Sequence, residues 1–175
     1  MRNNLTLSTI KTNFTDHQIA NLAAIAVAIS LVEFFLPSPI PGVKPGIANI
    51  IILYTIFRFD FKTGVWVSLI RVFITSIIIG TFLSPTFFLS LSGAVCSLLI
   101  ILIFKDYNKR KFSLISISLL SSLAHIIGQF IIVRIWIIPH DGILYLLPLF
   151  LMSAFIFGIA NGLIVQKLLT SKTKK

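Results

Sequence analysis

Glu33-Phe-Phe-Leu-Pro37-Ser-Pro39-Ile-Pro41-Gly42-Val-Lys44-Pro45-Gly46-Ile-Ala48-Asn49 is the stretch whose reading decides the fold. It contains four of the chain's seven prolines, each of which removes a backbone donor and clashes with the turn before it, so no continuous helix runs through. Apolar runs flank it on both sides. Irregular backbone at membrane depth is tolerated only where it lines a cavity or is buried in protein, and polar groups beside such a break are where membrane transporters commonly bind substrate.

Outward from the break, apolar runs claim nearly the whole chain. The 175 residues are 57% hydrophobic and 11% charged, with a mean hydropathy of +1.01, against about 45–50% apolar and about 25% charged in a soluble domain. This is an integral membrane protein with no room for a soluble catalytic domain. The runs are 18–36, 46–57, 64–79, 86–104, 112–138 and 143–169. The expected fold is all-α and polytopic, with six transmembrane helices. The second is short of the ~17–25 residues that a full span needs, so it starts inside the membrane. The expected units are a polar N-terminal segment (1–17), a six-helix membrane domain (18–169) and a basic tail (170–175).

The net charge of +10 sits in short segments between the runs, which marks topology rather than nucleic-acid binding. With the N-terminus inside, twelve of the fifteen Lys and Arg residues fall on the cytoplasmic side. Only Lys44 is outside, and Arg71 and Arg134 lie within helices. The expectation is N-in and C-in. No cleavage-type site follows a short apolar core, so no signal peptide is expected.

Charged and polar side chains inside the runs are the candidates for function. Glu33 lies near the outer end of the first helix, where Ser30 and Ala26 share its face and Ala20, Ala24 and Ala28 the opposite one. That alanine series is a small-xxx-small surface for close helix approach, to a neighbour in the chain or in another subunit. Arg71 falls well inside the third helix, where a lipid-facing charge costs ~2.5–3.5 kcal/mol or more, so it faces the bundle or a wet cavity. It is either a structural partner of Glu33 or a cation for an anionic ligand. On the fifth helix Ser118, Ser121, Ser122, His125 and Gln129 form one polar stripe. Arg134 points away from it and is read as snorkelling to headgroups. Gly158 and Gly162 around Asn161 read as a packing pair.

Lys44, Gly46 and Asn49 put a cation ahead of a helix start, whose free N–H groups favour an anion. The candidate ligand-binding set is therefore Glu33, Lys44, Gly46, Asn49, Arg71, His125 and Gln129, for a small anionic or amphipathic molecule. No cofactor or metal is expected. The five acidic residues are scattered, so no paired carboxylates for a metal-diphosphate site are visible. The phosphate loop that ATP hydrolysis needs is missing too. Cys96, the one cysteine, reads as a buried small side chain.

The segment 41–49, Arg71 in Ser68-Leu-Ile-Arg71-Val-Phe73, Ala124-His125-Ile-Ile-Gly128-Gln129 and Phe157-Gly-Ile-Ala-Asn-Gly162 also resemble, in order and spacing, a bacterial family of about this length. It is labelled heptaprenyl diphosphate synthase component I, and also the Gx transporter family. The resemblance covers roughly 18–169. Its six-helix plan is similar to the substrate-binding S-components of energy-coupling-factor transporters, which dock their coupling protein through an Ala-xxx-Ala surface matched here by Ala20, Ala24 and Ala28. The two labels imply different functions. One is a transporter component of the bacterial cytoplasmic membrane, partnered by a coupling protein with ATPases, with loop 37–46 as outer gate. The other is a non-catalytic partner of a prenyltransferase in menaquinone side-chain synthesis. A membrane scaffold that recruits a soluble prenyltransferase through the basic 105–111 loop is a third possibility.

Overall fold

The computed structural model describes residues 14–36, 46–106 and 112–171. Lys44, most of the proline-rich loop, the basic residues 109–111 and the C-terminal lysines, all singled out from the sequence, lie outside the described residues. Helices account for almost everything described: α1 (Phe14–Phe35), α2 (Ala48–Arg58), α3 (Phe61–Ile79), α4 (Pro85–Asp106), α5 (Leu114–Ile132) and α6 (Leu147–Ser171). Five are long and apolar enough to cross a membrane, and α2 is a shorter apolar helix. The fold class expected from the sequence is the observed one.

Local chemistry sets most helix ends. Asp60 caps α3 by accepting from the N–H groups of Lys62 and Thr63. The Thr63 hydroxyl also donates to it, and this bond, helped by the two N–H groups, holds the Asp60 carboxyl below its ordinary range. Gly80 ends α3 in the left-handed conformation at φ 77°, and Thr81 N–H closes back on Ser76 O at 2.8 Å, the glycine-terminated helix end. Pro85 opens α4 at the first position, where its missing N–H costs nothing. The Ser113 hydroxyl caps α5 by accepting from Ile115 N–H at 3.1 Å.

Two runs behave differently from the sequence expectation. The first helix begins at Phe14, four residues before the apolar run, because a helix carries its polar first turn beyond the membrane. The run 112–138 is not one helix. After Ile132 it widens into a π-turn, Val133–Ile137, closed by Ile138 N–H to Val133 O at 2.8 Å, and Pro139 stops it. A 3-10 turn, Asp141–Leu146, then leads into α6. Arg134 does not reach for headgroups alone: its guanidinium pairs with Asp141 at 2.5 Å across this corner.

The helices α4, α5 and α6 pack side by side, α3 joins α1, α2 and α4, and α2 also touches α1 and α6. Small residues set the α5–α6 spacing, since a Cβ at Gly162 would come within 2.8 Å of Ile115 Cα. Hydroxyls add bonds between helices, Ser118 to Gly158 O at 2.8 Å and Ser122 to Ala154 O at 2.7 Å. Such bonds are worth on the order of 0.6 to 2 kcal/mol within a bilayer.

Short α2 is the centre of the bundle. Ala48, Ile50, Ile52, Leu53, Thr55 and Ile56 are all buried, packed with Ala23, Ala26, Val67, Ile101, Ile117 and Val165. At a rise of ~1.5 Å per residue its eleven residues cover only ~16 Å of a ~30 Å hydrocarbon core. It fills the half of the bundle near Arg58, Lys62, Lys105 and Lys167 and leaves the other half to be enclosed by longer helices.

Candidate functional site

The space beyond the N-terminus of α2 is a cavity of about 380 Å³. Six of the seven ligand-binding candidates line it: Glu33 from α1, Gly46 and Asn49 at the start of α2, Arg71 from α3, and His125 and Gln129 from α5. Residues spread over nearly a hundred positions converge because the five longer helices enclose the volume that α2 leaves empty.

Arg71 carries the positive charge of the site. Among the described residues its guanidinium makes no hydrogen bond and no ion pair. The structural pairing of Arg71 with Glu33 is therefore not formed at contact distance. The Glu33 carboxylate does something else: it accepts from Ile47 N–H at 2.5 Å and from Ala48 N–H at 3.5 Å. A side chain of α1 thus caps α2, satisfying donors that a helix start leaves open.

That cap corrects the expectation for the helix start. Its N–H groups do not await an anion, since Asn49 and Ile50 N–H close on Gly46 and Ile47 carbonyls at 3.0 and 2.9 Å and Glu33 takes the two before them. Gly46 sits at φ 65°, a left-handed conformation that a side chain would strain. Its carbonyl accepts from Asn161 Nδ2 of α6 at 3.2 Å.

His125 is positioned by two neighbours. Its Nε2 lies 3.1 Å from Gln129 Nε2, so with the amide nitrogen as donor the ring proton sits on Nδ1. That Nδ1 is buried with no hydrogen-bond partner, as is the Thr75 hydroxyl, which also lines the cavity. On its other side the ring rests on Gly93 of α4, where a Cβ would come within 2.7 Å of Nε2. The rest of the predicted polar stripe divides. Ser118 and Ser121 are buried in contacts between helices, to Gly158 O and to Ser97 Oγ, because the stripe is wider than the cavity it meets. Ser122 does both, lining the cavity while bonded to Ala154 O.

Sequence reading passed over several lining residues. Asn161, taken for part of a packing pair, faces the cavity, and the one signal for it was the repeat of Gly-Ile-Ala-Asn at 46–49 and 158–161. No residue of α4 was read as a ligand-binding candidate, yet Thr86 and Ser90, one turn apart, both line the site. The apolar wall comes from Phe34, Phe87, Phe150 and Phe157, which nothing distinguishes among sixteen phenylalanines. Ala20, Ala24 and Ala28 are exposed, so this face is not used for packing among the described residues.

The described lining thus joins a guanidinium, a carboxylate, an imidazole, amides and hydroxyls to an aromatic wall. A family model described as heptaprenyl diphosphate synthase component I matches residues 22–168. No curated protein and no solved structure matches the chain.

Proposed function

The chain belongs to the heptaprenyl diphosphate synthase component I family, and from that premise we propose that it is a membrane substrate-binding component for a small anionic, amphipathic molecule. The observation that carries this is the Arg71 guanidinium in a cavity, with no ion-pair or hydrogen-bond partner among the described residues. A cation at membrane depth is expensive unless something supplies the counter-charge, and an anionic ligand in the cavity would supply it to Arg71. In a transporter built on the S-component plan, the ligand enters from the side opposite the basic loops. Energy then comes from partner subunits that dock on the exposed Ala20, Ala24 and Ala28 face of α1.

The family's description favours a second reading, a non-catalytic subunit that assists a separate prenyltransferase. In that role the same cavity would hold a prenyl intermediate or product. Affinity purification from native membranes in mild detergent, with mass spectrometry of bound proteins and small molecules, separates the two. The transporter reading expects an anionic amphiphile that is lost in Arg71→Ala, together with a coupling membrane protein and ATPases. Recovery of a soluble prenyltransferase and no ligand, with wild type and Arg71→Ala alike, would refute it.

A further inference from the structure

The charges around the cavity narrow the ligand's head group, an inference that rests on the binding role proposed above. Among the described lining residues Arg71 is the one permanent cation, and the Glu33 carboxylate shares the same cavity. Glu33 is 7% exposed and tied to Ile47 and Ala48 N–H. It cannot withdraw without leaving the buried Ala48 N–H and the part-buried Ile47 N–H unsatisfied. The α2 N-terminus, which would otherwise add positive potential for a phosphate, is spent on Glu33. Nor do three His, Cys, Asp or Glu side chains gather among the described residues to hold a divalent cation.

A diphosphate would bring several negative charges into this low-dielectric space against the one guanidinium and the fixed carboxylate of the described lining. Repulsion of like charges is strong there. A carboxylate brings one charge and two acceptor oxygens, which suits the fork of a guanidinium. Phe34, Phe87, Phe150 and Phe157 supply the wall for an apolar tail. The volume of about 380 Å³ is at the low end of the ~300–1,000 Å³ of small-molecule pockets. We propose that the cavity takes a monocarboxylate with a short apolar tail, and that Glu33 is the specificity-determining residue that refuses more highly charged head groups.

Geranic acid, geranyl monophosphate and geranyl diphosphate share one tail and differ in head charge. Each is titrated by calorimetry into the full-length protein in nanodiscs, with thermal unfolding as the check that each variant is folded. The expected order puts geranic acid tightest, about tenfold or more ahead of the diphosphate, with at least a tenfold loss of its binding in Arg71→Ala. Glu33→Gln, which keeps one acceptor for the helix cap and removes the charge, narrows or reverses that preference. Tighter binding of the diphosphate by wild type overturns the head-group assignment and leaves the binding role standing. An unchanged preference in folded Glu33→Gln overturns the part given to Glu33. Failure of folded wild type to bind any of the three overturns the assignment, and the native-membrane purification decides the binding role separately.

Discussion

Replacing Gly93 with alanine tests whether packing between α4 and α5 is what holds His125 in the cavity. A Cβ at this position would lie 2.7, 2.8 and 2.9 Å from Nε2, Cε1 and Cδ2 of His125, whereas such contacts settle at about 3.5–4.0 Å. The ring must retreat by ~1 Å or the helices must part. Retreat strains the 3.1 Å contact with Gln129 and shifts the ring within the cavity lining. Two energies oppose each other. Alanine in place of glycine inside a helix gains ~1 kcal/mol, and overpacking costs ~1–3 kcal/mol, so the net loss is ~0–2 kcal/mol and the protein stays folded. Ligand binding, which depends on the ring position, falls about tenfold for one lost hydrogen bond. The assay pairs thermal unfolding in detergent with calorimetric titration of geranic acid. A cycle with His125→Ala sharpens it: Gly93→Ala destabilises when His125 is present and is neutral or stabilising when it is absent, with a coupling of ~1–3 kcal/mol. Additive effects in that cycle, or wild-type affinity in Gly93→Ala, would refute the reasoning.

Three further outcomes are expected. Glu33→Ala uncaps α2 and costs ~1.5–3 kcal/mol, the range for a hydrogen bond to a charged group, with Glu33→Gln costing less; equal unfolding temperatures for the two variants would count against the cap. Gly46→Ala costs ~1–2 kcal/mol from the left-handed backbone alone, because its Cβ would meet nothing nearer than 4.0 Å; Gly46→Asn restores part of it, and a neutral Gly46→Ala would refute the strain. The Asp60 carboxyl, lowered chiefly by the Thr63 hydroxyl, contributes stability that is present above the ordinary value of 3.8 and lost as pH falls through its lower folded value. Unfolding temperature between pH 6 and pH 3 should therefore fall less steeply in Asp60→Asn than in wild type; parallel curves would exclude the contribution.

Much of the candidate site was legible in the sequence, for a physical reason. A charge or amide inside an apolar run is expensive in lipid, so Arg71, His125 and Gln129 stand out and must face inward. One shared cavity is the simplest place for them. What the sequence could not show is which partner each inward group finds. Glu33 looked like a cavity wall or an ion-pair partner, and it caps α2 across fourteen positions of chain. Ser118 and Ser121 looked like part of the lining, and they bond other helices. Serine hydroxyls have the same pattern on a helical wheel whether they meet a neighbouring carbonyl or an open space.

By itself the sequence determined that this is a helical membrane protein, where most of its helices run, and that its second helix is too short to span. Hydropathy and proline act locally, and each apolar run must satisfy its own backbone inside the bilayer. Only the tertiary structure decided that short α2 stands at the centre, that the space over it is the cavity, and that Asn161, Thr86, Ser90 and four of sixteen phenylalanines share that space. Those facts depend on helix neighbours and rotations, which follow from packing between distant segments. In a chain apolar on nearly every face, periodicity barely distinguishes the side turned to lipid from the side turned to protein.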